Sequence, residues 1–414
     1  MVRRRVVAAG GEARAAGRRL SSVRTTTPVV VLYRAGAGAL AVARTLGRLG
    51  VSAHLVLQTG MTSPLTRSRF WRDVVSWDFG RPEEETVDFL TGLAAGLRSD
   101  EPPLLLTLAD WAAIFIERHA DALSHAYVFP RAPTPVVERL ADKWGMARLA
   151  TDVGIPTPRT TLPSTHDDAL EFARDVGYPL VLKPSDSFAP FVPAKQIIES
   201  QHELVAELDR QAPKGPFNFV LQEYIPGDAD SVWMCNAYFA IDGTCRAVFT
   251  GQKLRQMSST GVASLAVCRP NETVARQTQA FMQGVGYRGC VGIGYRYDRR
   301  DGLYKVLDVN ARVSGVFRLF AGTNGMDVVR VCYLDFTHQP APSTQLQPGR
   351  KWMLEEDVLV ALRELRRGTL SPREWLRSVR GVREAQWFAR DDPMPFVELL
   401  RGGVASRVRA RRDV

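Results

Sequence analysis

A continuous apolar run, Pro28 to Tyr33 (PVVVLY), leaves this chain few choices of fold. No polar residue alternates along it, so as a strand it must be covered on both faces. That is the condition of a parallel sheet layered with helices. A turn, a helical stretch to Leu49 closed by Gly50, and a second apolar run from Ala53 to Leu57 complete a β-α-β unit. Leu104 to Leu108 and a helix over Trp111 to Ile116 extend this α/β region to about Phe129, and Pro130 to Pro135 punctuates it. The turn Gly36-Ala-Gly38-Ala-Leu-Ala41 fits G-x-G-x-x-A. A dinucleotide site also needs an acid at the end of the second strand, and Leu57-Gln58-Thr59 has none; close backbone packing accounts for the glycines.

The remainder changes character. A helix is expected from Val136 through Asp142-Lys143-Trp144, and Gly154-Ile-Pro-Thr-Pro158 ends it. A second helix ends over Phe172 to Val176, and Gly177-Tyr-Pro179 leads into the strand Leu180 to Pro184. Lys183 sits on that apolar strand, where an ammonium needs an anion nearby unless it reaches solvent at the strand end. Asn218 to Gln222 reads as a strand leading into Glu223-Tyr-Ile-Pro-Gly227 and Asp230. Trp233 to Ile241 and Cys245 to Thr250 read as a hairpin around Asp242-Gly243, with Lys253 and Arg255 beyond it. After a helix over Thr273 to Val285 and a strand over Val291 to Tyr297 comes Leu303 to Phe320 (LYKVLDVNARVSGVFRLF). Alternation places Val306, Asp308, Asn310 and Arg312 on one face. Two oxygen-bearing side chains with a guanidinium beyond them suit Mg²⁺ bridging phosphates, with the arginine on an anionic oxygen. The alternative is a strand end whose Asp and Asn serve the turn.

The net charge of +10 suggests nucleic acid until it is located. Residues 1–25 carry seven Arg against one Glu, and residues 401–414 five Arg against one Asp, which accounts for all of it. A basic groove is unsupported, and a nucleic-acid-binding role would rest on the tails alone. The first tail has a transit-peptide composition without an amphipathic pattern, so it is expected to be solvated. The five cysteines are scattered, with no C-x-x-C, and point to reduced thiols in a cytoplasmic protein. No apolar run approaches the length needed to span a bilayer.

Lysine on a helix, lysine on a strand before proline, Gln222-Glu-Tyr-Ile-Pro-Gly227 and a late Asp308-x-Asn310-x-Arg312, in that order, resemble the ATP-grasp superfamily over about residues 136–337. The pattern is most similar to the carboxylate–amine ligases related to D-aspartate ligase and carbamoyl-phosphate synthetase. The resemblance implies α/β and α+β architecture: a basic disordered tail (1–27), an N-terminal parallel-sheet domain (28–135), an ATP-grasp domain (136–337) with a lid to 217, a hinge over 218–228 and a core from 229, a linker (338–350) and a helical C-terminal extension (351–414). It implies an ADP-forming ligase that activates a carboxylate of an amino acid or small peptide as an acyl phosphate and joins it to an amine. The alternative is a degenerate relative that binds nucleotide as a regulator or scaffold. ATP and Mg²⁺, with Mn²⁺ as a substitute, are the implied cofactors. The partners are small molecules rather than nucleic acid or membrane, and a homodimer is left open.

Carried over by position, Lys143 and Lys183 would hold phosphates, Gln222, Glu223, Tyr224 and Ile225 would form the adenine hinge, and Asp230 would meet the ribose. Asp308 and Asn310 would be metal ligands. Arg312 would contact phosphate or the acyl phosphate, with Lys253 and Arg255 near the transferred group. The sequence departs from the family twice. The loop after Lys183 (SDSFAPFVPAKQ) lacks glycines, leaving Lys195 to supply charge. Gly294 stands where a metal-binding acid is expected, leaving Asp298, four residues on, as its stand-in.

Overall fold

The computed structural model describes residues 23–34, 38–97, 99–185, 195–257 and 262–402. The glycine-bearing turn around Gly36, the loop after Lys183 over residues 186–194, residues 258–261 and most of both basic tails lie outside the described residues.

The first sheet is built as its apolar runs require. Strands β1 (Val29–Tyr33), β2 (Ala53–Gln58), β3 (Trp71–Trp77) and β4 (Leu104–Thr107) are parallel in the order β3-β2-β1-β4. Central β1 is buried along its whole length, whereas edge strand β3 exposes Arg72, Asp73, Val74 and Ser76. The chain builds outward from β1 to β3 and then returns to β1's other side for β4. Arg34 and Asp110, which follow β1 and β4, therefore lie at the reversal of strand order, where open α/β sheets present ligand crevices. The expected tail ends early: Thr27 is buried, and its carbonyl accepts from the Tyr333 hydroxyl at 3.0 Å.

The second sheet is small and antiparallel: β5 (Thr160–Thr161), β6 (Leu180–Pro184), β7 (Gln196–Ile198) and β8 (Phe219–Glu223), ordered β5-β8-β6-β7. Period two sorts its faces. Leu180, Leu182, Phe219 and Leu221 pack beneath the helices His166–Val176 and Gln201–Gln211, through Ala169, Ala173, Leu204 and Leu208. Val181, Lys183 and Gln222 take the opposite face.

The third sheet has seven strands: β9 (Val232–Phe239), β10 (Cys245–Gln256), β11 (Ala263–Cys268), β12 (Gly289–Asp298), β13 (Leu303–Asn310), β14 (Lys351–Met353) and β15 (Val382–Ala385), ordered β13-β12-β9-β10-β11-β14-β15. All pairs are antiparallel except β14 with β15. Val291, Ile293 and Tyr295 of β12 face one core with the helix Glu272–Gly284, leaving Gly292, Gly294 and Arg296 on the other face. The expectation for β13 needs correction. Gly294 pairs with Asp308 but Tyr295 with Val306, so a bulge at Leu307 reverses the alternation. Val306 joins the core, while Asp308 and Asn310 face outward.

Two further expectations change. The helix through Lys143 is two helices, Val136–Ala141 and Lys143–Asp152, because Asp142 leaves the helical conformation and caps the second by accepting from the Gly145 amide. The C-terminal extension contains the helices Asp357–Arg367 and Pro372–Val379, but it also adds β14 and β15 to the main sheet.

Candidate active site

The outward faces of the second and third sheets meet across a cavity of 790 Å³, closed on its third side by Gly38 and Leu108 of the N-terminal region. Lys183, on the strand that sequence alone marked as anomalous, is 8% exposed and donates to Gln222 Oε1 at 2.6 Å. Gln222 Nε2 in turn donates to Thr160 Oγ1 at 3.0 Å, so this side chain braces a lysine, and its backbone lies between β5 and β6 in the sheet. Lys143, first residue of its helix, donates to Asp308. The Ser185 hydroxyl donates to Asp142 Oδ1 at 2.6 Å and ties that helix start to β6.

Lys195, Lys253, Arg296 and Arg312 complete a ring of six cationic side chains with Lys143 and Lys183. Among the described residues lining the cavity, the acids are Asp308 and Glu223, and Glu223 is already held by Arg300 at 2.6 Å. Burial, with Lys195 and Lys143 nearby, lowers the Lys183 ammonium to about 7. Burial and Lys195 lower Lys253 to about 8. Burial works to raise Asp308, but the Lys143 charge and hydrogen bond, with Lys183 and Arg312, outweigh it and hold the carboxyl down at about 2. Lys143 shows the converse: burial lowers it, and Asp308 more than restores it. Crowded, partly desolvated ammonium groups are stabilised by a polyanion.

Asn310 Oδ1 accepts from Arg312 Nη2 at 2.7 Å, and Arg312 also forms a bidentate pair with Asp110, at 2.7 and 3.1 Å. This pair anchors the end of β13 to the N-terminal sheet. Among the described residues, the hydrogen bond shown for Asp308 Oδ2 is from the Asn310 amide at 3.3 Å. One carboxylate oxygen with little other engagement fits an Mg²⁺ ion that takes most of its ligands from phosphate and water. No cluster of three or more His, Cys, Asp or Glu suited to a metal occurs among the described residues.

Eleven residues expected in the site line this cavity: Lys143, Lys183, Lys195, Gln222, Glu223, Tyr224, Ile225, Lys253, Asp308, Asn310 and Arg312. Three do not. Arg255 points through the sheet and is locked in a buried pair with Asp357, at 2.5 Å for Nη2, and on Ser378 Oγ at 2.7 Å. Asp298 is 0% exposed and neutralised by Arg300 and Lys305, at 2.6 and 2.8 Å, which hold its carboxyl far below the usual range against the opposing effect of burial. Asp230 is exposed, and its backbone rather than its carboxylate is engaged, accepting from Gln252.

Sequence reasoning missed Arg296, Asn236, Trp352 and Gln386, which line the cavity. Arg296 could have been found, because it shares a strand face with Gly292 and Gly294. It lies over the Tyr224 ring, 5.7 Å from its centroid, and donates to the Gly227 carbonyl.

No protein-family model matches the chain. D-aspartate ligase of Enterococcus faecium (strain Aus0004) is 26% identical over 269 residues, covering 60% of this chain and 64% of that protein. The carbamoyl phosphate synthase large chain of Mycobacterium sp. (strain JLS) is 24% identical over 206 residues, 47% of this chain but only 18% of that protein. The chain thus spans less than two thirds of either relative's length. Among solved structures, L-amino acid ligase from Bacillus licheniformis superposes with a TM-score of 0.60 at 16% identity, covering 80% of this chain and 79% of that one. The ADP complex of N5-carboxyaminoimidazole ribonucleotide synthetase gives 0.62 at 13% identity, covering 84% and 87%. The biotin carboxylase domain of Hydrogenobacter thermophilus 2-oxoglutarate carboxylase, solved with MgADP, gives 0.59 at 15% identity, covering 78% and 72%.

Proposed function

We propose, for a chain whose fold is that of the ATP-grasp ligases and whose homologues include D-aspartate ligase and carbamoyl phosphate synthase, an ADP-forming ligation of a small carboxylate to an amine. The observation that carries the reading is the ring of six cationic side chains closing on Asp308 in one cavity. Such a ring is built for a triphosphate. A carboxylate has no useful leaving group, and transfer of a phosphoryl group to it supplies one. That transfer depends on charge neutralisation and in-line positioning more than on a protein nucleophile.

In this reading Tyr224, Ile225 and the hinge backbone hold adenine, while Lys183 and Lys195 hold phosphate oxygens from the second sheet and Lys143 does so from its helix start. Asp308 and Asn310 hold Mg²⁺, which when bound offsets charge on the transferring phosphoryl group. Lys253 and Arg312 flank the position where the acyl phosphate forms, and the amine attacks there. Asp110 and Asn310 fix the orientation of Arg312 and occupy its fork, so the donor it keeps for an anionic oxygen is the remaining N–H of Nη1.

ADP release over pairwise mixtures of amino acids, with hydroxylamine to trap the activated acid as a hydroxamate, tests this. ADP and hydroxamate are expected; AMP as the nucleotide product sinks it. One observation favours a second reading, a nucleotide-binding regulator: Gly294 faces Asp308 with open space where a third metal ligand would fit. Tight ATP binding without ADP release from any mixture would select that reading.

A further inference from the structure

The cavity runs past the cationic ring, over β10 and β11, to β14 and the residue following β15. This far end is lined by Lys253, Gln256, Val262, Trp352, Leu354 and Gln386. Its composition differs from the ring: Lys253 is its sole cation among the described residues, and Trp352 and Leu354 present apolar surface.

Gln386 is the unusual member. It is 5% exposed, and its Nε2 has no hydrogen-bond acceptor among the described residues. The backbone around it is fixed on both sides. Gln386 N donates to the Met353 carbonyl at 3.1 Å, and its own carbonyl accepts from Arg44 Nη1 at 3.2 Å. The next two amides, Trp387 N and Phe388 N, donate to Glu355 Oε1 at 2.9 and 2.7 Å. A buried amide donor without an acceptor is costly, and a rigid backbone gives it little chance to move to one. A ligand oxygen in the cavity would remove that cost. Asn236, 2% exposed on β9 and also lining the cavity, lies elsewhere: it pairs with Gly292, opposite Asn310, toward the phosphate end.

We infer that the far end of the cavity is the subsite for the acid that becomes activated, and that Gln386 determines its specificity by donating to a substrate oxygen. The inference rests on the ligase reading. An unspent donor beside an apolar wall suits an amino acid with an apolar side chain. A second carboxylate, as in aspartate, would find no further cation at this end among the described residues.

The test compares the full chain with Gln386→Met, which keeps volume and removes the donor. ADP release is followed with leucine, methionine, phenylalanine or aspartate as acid and hydroxylamine as acceptor. Wild type should prefer the apolar acids. In the variant, the KM for the preferred acid should rise about ten- to a hundredfold while the KM for ATP stays within about twofold and the thermal midpoint of the free protein holds or rises. An unchanged KM for the acid, or a parallel rise for ATP, overturns the assignment. If wild type releases no ADP with any acid, the ligase reading has failed by itself. The subsite is then read by thermal shift with the same acids: stabilisation of wild type that Gln386→Met loses upholds it, and no stabilisation of wild type overturns it.

Discussion

The two ends of the cavity are made in different ways. At the phosphate end, charged side chains stand on strands or at a helix start: Lys183 on the otherwise apolar β6, Asp308 on β13, Lys143 on the helix Lys143–Asp152. At the far end, Trp352 and Gln386 come from a C-terminal segment that reaches the main sheet through strands of three and four residues. The first construction serves chemistry that every phosphoryl transfer shares. The second serves the choice of substrate, which packing and single hydrogen bonds adjust without altering the machinery. Any substitution should therefore show its effect at one end and spare the other.

The largest effect should come from Asp308. Asp308→Ala removes the principal candidate metal ligand and leaves Lys143 without its anion, so ADP release should fall by about a thousandfold or more. ATP binding should persist in part through Tyr224 and Ile225, read by calorimetry. Near-normal turnover would dissolve the distinction between the ends, because nothing at the phosphate end would then be catalytic.

Next in size is a pair that lines neither end, Arg255 with Asp357, which ties β10 to the helix Asp357–Arg367. Breaking a buried ion pair costs about 3–5 kcal/mol, because one charge is left without a partner. Arg255→Met should therefore lower stability sharply in denaturant titration, and the double variant Arg255→Met with Asp357→Leu should recover much of it. Activity per folded molecule should be kept in the double variant. Its loss there would return Arg255 to the catalytic set that the sequence suggested.

That suggestion shows where sequence reading stops. Lys183 was legible because a charge on an apolar strand demands a local explanation, and Asp308 because alternation sets it on one face with Asn310 and Arg312. Arg255 looked equally catalytic because its partner lies 102 residues further along the chain. The face of Asp308 was predicted correctly, but on an alternation that included Val306; the bulge at Leu307, which sends Val306 to the core, has no signature in the sequence. β14 and β15 are too short and too polar, with Lys351, Arg383 and Glu384 among seven residues, to stand out from their helical surroundings. Asp298 matched by parity, yet parity fixes a face and not a position along it. At its place on β12 it meets Arg300 and Lys305 rather than a metal.

A moderate effect is expected from pH. Lys183 titrates near 7 and Lys253 near 8, lowered first by burial and then by neighbouring cations. Bound triphosphate would raise both, so binding takes up protons above those values and is tightest where both lysines are already charged. ATP affinity should be flat below about pH 6.5, fall by up to about tenfold per pH unit between 7 and 8, and fall more steeply, up to about a hundredfold per unit, above 8 where both lysines must be recharged. Lys183→Arg, which stays charged, should flatten the profile, while the KM for the acid in either protein should follow Lys253 alone. A flat profile in wild type would show that these ammonium groups do not meet the phosphates.

The smallest effect, and the one that locates the boundary between the two ends, is expected at Gly294. It pairs with Asp308 across β12 and β13, and a Cβ there would meet nothing nearer than Asp308 at 3.9 Å. Its backbone is that of an ordinary strand, so a side chain is allowed. With Asp298 neutralised, coordination beyond Asp308 and Asn310 falls to phosphate and water, which Mg²⁺ tolerates. Turnover should therefore keep climbing with Mg²⁺ well past the ATP concentration. Gly294→Glu should add a carboxylate beside Asp308 and lower the Mg²⁺ needed for half-maximal rate by about two- to fivefold, with little change in the KM for the acid. If the variant instead loses activity while metal binding is unchanged, the glycine clears space for substrate. The acid would then reach across β12 to the metal, and the phosphate end would begin one strand later than Asp308 and Gly294 imply.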